Sequence, residues 1–102
     1  MSTNTTGSDN TALGVNCLDA NTTGARNTAI GMNTLTATTT ANDNTAVGQA
    51  AMFLNETGTD NTAVGKSALD ANVSGNYNTA VGKNALTSST ANYNTGVGYN
   101  VL

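Results

Sequence analysis

Three side-chain types in this chain occur at intervals that could support chemistry. Asp9, Asp43 and Asp60 share one position of a repeating pattern, each immediately before an asparagine, and a stripe of carboxylates is a candidate calcium site. Arg26, Tyr77 and Tyr93 interrupt that stripe, and the calcium-binding nonapeptide repeat is absent, so a solvated edge is the expected reading. Cys17 is the sole cysteine, and its equivalents in the other repeats are Thr, Ala and Val. It therefore reads as a small buried residue rather than a reactive thiol. The chain has no histidine, and no nucleophile stands beside a base, so an enzyme is not expected and no cofactor or metal is implied.

The third type is asparagine. Asn10, Asn27, Asn44, Asn61, Asn78 and Asn94 each open a near-copy of Asn61-Thr62-Ala63-Val64-Gly65. The spacing is 17 residues four times and 16 once. An amide both donates and accepts, so stacked asparagines can form a structural ladder along the repeats, with ligand recognition the alternative. A second column, Asn4, Asn21, Asn55 and Asn72, begins Asn-X-Ser/Thr sequons, which makes these residues candidate glycosylation sites along one edge. The same residues are also ordinary turn formers.

A fixed period in this range predicts a solenoid, in which each coil buries its apolar face only when a neighbour stacks on it. We expect an all-β fold: one domain over residues 1–102, a parallel β-solenoid (β-roll or β-helix) of six coils with a 17-residue repeat and two short strands per coil. Two aliphatic columns are the expected core. One is Leu13, Ile30, Val47, Val64, Val81 and Val97; the other is Leu18, Leu35, Met52, Leu69, Leu86 and Leu102. Because strand side chains alternate faces, placing Val inside sends the Thr column (Thr11, Thr28, Thr45, Thr62, Thr79, Thr95) inside too, with Asn and Ala outward. Gly14, Gly31, Gly48, Gly65, Gly82 and Gly98 end each run and permit a turn.

Composition agrees with a thin interior. Hydrophobic residues make up 37% and aromatics 4%, too little for an ordinary globular core of 102 residues. Net charge is -3 with three basic residues, which argues against nucleic-acid binding. No apolar run is long enough to span a bilayer, so membrane insertion is not expected. Met1-Ser2-Thr3-Asn4-Thr5 does not read as a signal peptide.

Joining Leu102 to Ser2 places Asn10 17 positions after Asn94, and no atypical capping repeat is evident. Head-to-tail stacking into a filament is the expectation, with a segment of a longer fibre as the equal alternative. Tyr77, Tyr93 and Tyr99 are candidates for lateral contacts. An ice-binding surface is a further alternative, since threonine arrays on flat β-solenoids order water. It is disfavoured by the expected inward direction of the regular Thr column and by the irregular outward set at Thr5, Thr22 and Thr39.

The run Asp43-Asn44-Thr45-Ala46-Val47-Gly48, with its Ala68-Leu69 and Thr57-Gly58 equivalents, resembles the repeat arrays of bacteriophage tail-fibre proteins. There, Asn-Thr-Ala-Val/Ile-Gly and Ala-Leu blocks alternate with Asn-Thr-Thr-Gly, here Asn21-Thr22-Thr23-Gly24. More distantly it is similar to the head repeats of trimeric autotransporter adhesins, which fold as a left-handed parallel β-roll. The resemblance implies an extracellular or virion-attached fibre that projects or spaces a surface. It also implies partners that are copies of the chain itself, as filament or homotrimer, and a host cell-surface receptor or glycan.

Overall fold

The computed structural model describes all of residues 1–102. It is an all-β, parallel β-solenoid whose coils repeat every 17 residues. Six three-residue strands form one sheet: β1 (Thr11–Leu13), β2 (Thr28–Ile30), β3 (Thr45–Val47), β4 (Thr62–Val64), β5 (Thr79–Val81) and β6 (Thr95–Val97). Each strand pairs in parallel with the next in sequence, and like lies on like: Thr45 on Thr62, Ala46 on Ala63, Val47 on Val64. The register survives the 16-residue spacing, with Thr79 on Thr95 and Val81 on Val97. The missing residue is absorbed between Leu86 and Thr90, where turns and loop connect the elements.

Two details of the expected coil differ. The wall opposite the strand is not a second strand but a run of turns, as at residues 32–37. Its apolar residues occupy the left-handed region: Leu18, Leu35, Met52, Leu69 and Leu86 have φ between 48° and 53°. That conformation costs a β-carbon-bearing residue about 1–2 kcal/mol. It persists because it drives each side chain to full burial and aims each amide at the next coil, as in Leu35 N–H to Ala51 O at 3.1 Å and Leu69 N–H to Ala85 O at 3.0 Å. Of 55 backbone hydrogen bonds only 10 lie within the strands, so coil-to-coil bonds through the turns hold most of the stack.

The second correction concerns which face of the strand looks inward. Ala29, Ala46, Ala63 and Ala80 are completely buried, and so are Asn27, Asn44 and Asn61. The column expected in the core lies outside instead: Leu13 and Val97 are 67% exposed, Val64 and Val81 37%, and Ile30 and Val47 half-buried. The threonines share that outer face. Space explains the inversion. A 17-residue coil leaves an interior one side chain deep, and Leu35, Met52 and Leu69 already fill it from the opposite wall. At Gly96, which takes the alanine position in β6, an added β-carbon would stand 2.8 Å from Leu86 Cγ. The strand can therefore offer only a methyl or less. The core is a file of Leu or Met between files of Ala and the small residues Cys17, Thr34, Ala51, Ala68 and Ala85. Leu102, also expected inside, is 92% exposed because no coil lies over it.

Candidate functional site

The asparagines that open the strands form a buried polar spine. From Asn10 to Asn78 each Oδ1 accepts the backbone N–H of its counterpart one coil on: Asn27 N–H to Asn10 Oδ1 at 2.9 Å, Asn44 to Asn27 at 3.0 Å, Asn61 to Asn44 at 3.0 Å, Asn78 to Asn61 at 2.9 Å, and Asn94 to Asn78 at 2.9 Å. The same five Nδ2 groups donate across the turn of the next coil, as in Asn44 to Gly58 O and Asn61 to Gly75 O, both at 2.8 Å, whereas Asn94 Nδ2 donates to Asn78 Oδ1 and Ser89 Oγ. One side chain thus bonds two backbone groups of a buried turn: an N–H that has no other partner and, at Gly58 and Gly75, a carbonyl shared with a second asparagine. Serine or threonine in this column lacks the reach and the second donor; aspartate would bury a charge.

The sequon column is a second spine. Asn21, Asn55 and Asn72 are fully buried. Asn21 Nδ2 donates to Asn4 Oδ1 at 2.7 Å and Asn72 Nδ2 to Asn55 Oδ1 at 2.9 Å, while Asn55 and Asn72 also donate to Gly58 O and Gly75 O. Glycosylation at these three positions is therefore overturned for the folded chain, because a glycan on Nδ2 has no exit. Asn4, in the first coil, is half-buried and donates to Gly7 O at 2.9 Å.

This second spine is broken twice. The third coil places Thr38 in the column, and the last coil has serines there. Asn21 Oδ1 and Asn72 Oδ1, each one coil short of a break, are the two buried side-chain oxygens with no hydrogen-bond donor. The same two coils carry Ala41 and Ala91 where the others have Gly7, Gly24, Gly58 and Gly75. A β-carbon at Gly24 or Gly58 would press on the asparagine Oδ1 three residues earlier as closely as on the backbone carbonyl one coil on (Ala41 O or Gly75 O), so part of the demand for glycine comes from the asparagine of the same coil.

The acidic stripe carries an ion pair. Arg26 lies between Asp9 and Asp43 in the left-handed column and donates to Asp43 through Nε at 2.6 Å and Nη2 at 2.8 Å. Hydrogen bonding to the guanidinium, with its charge, holds the Asp43 carboxyl below the ordinary carboxylate range. Burial pushes Asp70 the other way. Further along the same column, Tyr77 and Tyr93 stack with centroids 5.1 Å apart; in the column that follows the strand-ending glycines, Lys83 Nζ lies 5.7 Å from the Tyr99 ring. Cys17 is buried and its thiol donates to Gly31 O at 2.7 Å.

What remains is the outer face of the sheet, which sequence reasoning assigned to the interior. It consists of two parallel files, the strand threonines and the strand aliphatics, with no charged residue in either. The threonine hydroxyls that bond within the chain belong to other columns, at Thr3, Thr5, Thr22, Thr34, Thr36, Thr38 and Thr59. The signal that could have revealed the orientation is the invariably small residue between Thr and the aliphatic: only Ala or Gly occurs there, as an over-filled interior requires. Compared with protein-family models, curated proteins and solved structures, the chain matches none.

Proposed function

We propose that this chain is a non-enzymatic structural element of a fibre, which extends by receiving a further coil on its open ends. The supporting observation is that the two end coils carry complementary unpaired groups. On the first coil, the N–H groups of Asn10 and Gly14 and the carbonyl of Asn10 have no partner within the chain; on the last, Asn94 Oδ1, the Val97 carbonyl and the Thr95 N–H have none. Their counterparts inside the stack bond to each other: Asn44 N–H to Asn27 Oδ1, Gly48 N–H to Ile30 O, Thr45 N–H to Asn61 O. A last coil under a first coil makes the same three bonds. At the last coil, an open cavity lined by Leu86, Ser88, Ser89, Asn94 and Leu102 is where the next coil would close the interior.

The next coil can belong to the same polypeptide or to another copy, and the proposal covers both. Either arrangement makes a rod whose working parts are the two asparagine spines and the leucine file, displayed outside a cell or on a virion as fibres of this resemblance are. A tandem fusion, Leu102 joined directly to Ser2 of a second copy, tests it. One rod of twice the length, with a higher melting temperature than the single unit, is expected because each added interface contributes nearest-neighbour stability. Two independent units melting at the single-unit temperature would overturn it. Negative-stain microscopy of the single unit then separates self-assembly, seen as long fibres, from a segment that stays discrete on sizing as a monomer or a homotrimer.

A further inference from the structure

We infer that the outer face of the six-stranded sheet binds ice. The face is periodic: each coil presents one threonine hydroxyl and, two residues on, one aliphatic side chain, and both repeat at the strand spacing of about 4.8 Å. No position along such a strip is unique. A small or irregular ligand gains nothing from the repetition, whereas a ligand with the same translational repeat engages every coil at once and multiplies weak contacts into avidity. The ligand chemistry is therefore that of a lattice.

Size and polarity decide which lattice. The strip is roughly 24 Å long, with about 7 Å between its two files, so it offers a few hundred Å² at most. A stable pairing with a second copy of the chain needs about 800 Å² on each partner. A charged mineral surface would require carboxylates or amines, and neither file holds one. A water lattice suits what is present. Hydroxyls with no partner in the chain can take positions in it, and the intervening methyl groups hold water only weakly. The strand spacing is also close to the shortest oxygen repeat of hexagonal ice.

Rigidity favours the same reading. Immediately behind the strip lie the fully buried alanines and the asparagine spine, so the hydroxyl positions are set by backbone bonded on both sides. The outward direction of the regular Thr column removes the objection that the sequence raised against ice. It stands apart from the fibre proposal, since it uses the sheet face and not the coil ends.

The test is thermal hysteresis and ice-crystal shape in solutions of the intact chain, with Thr62→Lys and Val64→Lys as face variants and Glu56→Lys as a variant in an exposed turn outside the sheet. Circular dichroism establishes that each is folded. The wild type and Glu56→Lys are expected to halt growth below the melting point and facet the crystal, and both face variants to lose these effects. Absence of hysteresis and faceting in the folded wild type would overturn the inference, as would their retention in both face variants. A wild-type dimer or trimer on sizing that the face variants convert to monomer would overturn it in favour of a self-interface. Tandem-fusion melting is read on the same protein, so failure at the face and failure at the ends are separate results.

Discussion

The two breaks in the sequon spine set up a repair experiment. In the third coil, Thr38 and Ala41 stand where neighbouring coils have Asn and Gly, and Asn21 Oδ1 is left buried without a donor. Changing Thr38→Asn supplies that donor through Nδ2, in the way Asn72 serves Asn55 at 2.9 Å. An unsatisfied buried acceptor is worth about 1–3 kcal/mol when its partner is restored. Against this, the Thr38 hydroxyl bond to Asn55 O at 2.8 Å is lost, at about 1 kcal/mol. The single variant also brings the new Oδ1 against the Ala41 β-carbon, given the 2.4 Å approach found at Gly24 and Gly58. Thr38→Asn alone is therefore expected to destabilise. Ala41→Gly alone should also destabilise, by about 0.5–1 kcal/mol from backbone entropy. The double variant removes the clash and keeps the new bond. It should exceed the sum of the singles by about 1–3 kcal/mol, as neighbours in one network do. Urea unfolding of the four proteins, followed by circular dichroism, measures the cycle. Additivity within about 0.5 kcal/mol would refute the claim that asparagine and glycine are coupled in each coil.

Other outcomes follow from the same geometry. Asn61→Ala leaves the Asn78 N–H without its partner, while the Gly75 carbonyl keeps Asn72 Nδ2, and unfolding should show a loss of roughly 1–3 kcal/mol, from one buried unsatisfied donor. Ala63→Val overfills the interior and should cost about 1–3 kcal/mol, whereas Val64→Thr on the outer face should change stability by no more than about 0.5 kcal/mol; a thermal melt of each checks the inversion. Asp43 titrates low in the folded chain, so the stability its pairing with Arg26 contributes is complete above the unfolded carboxylate value and is lost as pH falls through the lower folded value. Asp70, raised by burial, acts oppositely, opposing folding at neutral pH and ceasing to do so as it protonates. Carboxyl titration by NMR should show Asp43 return to the ordinary range in Arg26→Gln and Asp70 stay high.

The period and the parallel register were legible from spacing alone, because equivalent residues in a solenoid must lie over one another for their backbone groups to pair. The regular asparagines were legible as a ladder for a similar reason: one amide per coil at constant spacing matches the donors and acceptors of the coils on either side. Leu18, Leu35, Met52, Leu69 and Leu86 were legible as core, though not in the left-handed conformation that puts them there.

Direction was another matter. Hydrophobicity argued for Val47, Val64 and Val81 inside, and a strand alternates, so one wrong assignment turned Thr, Ala and Asn around with it. The sequon asparagines were misjudged similarly, since a polar residue in a turn reads as exposed until the coil is closed. Sequence by itself determined how many residues make a coil and that coils stack in register, both consequences of repetition. Only the tertiary structure decided which side of each strand faced in, because that depends on an interior width set by the opposite wall, which leaves room for an alanine methyl and an asparagine amide but not for a valine.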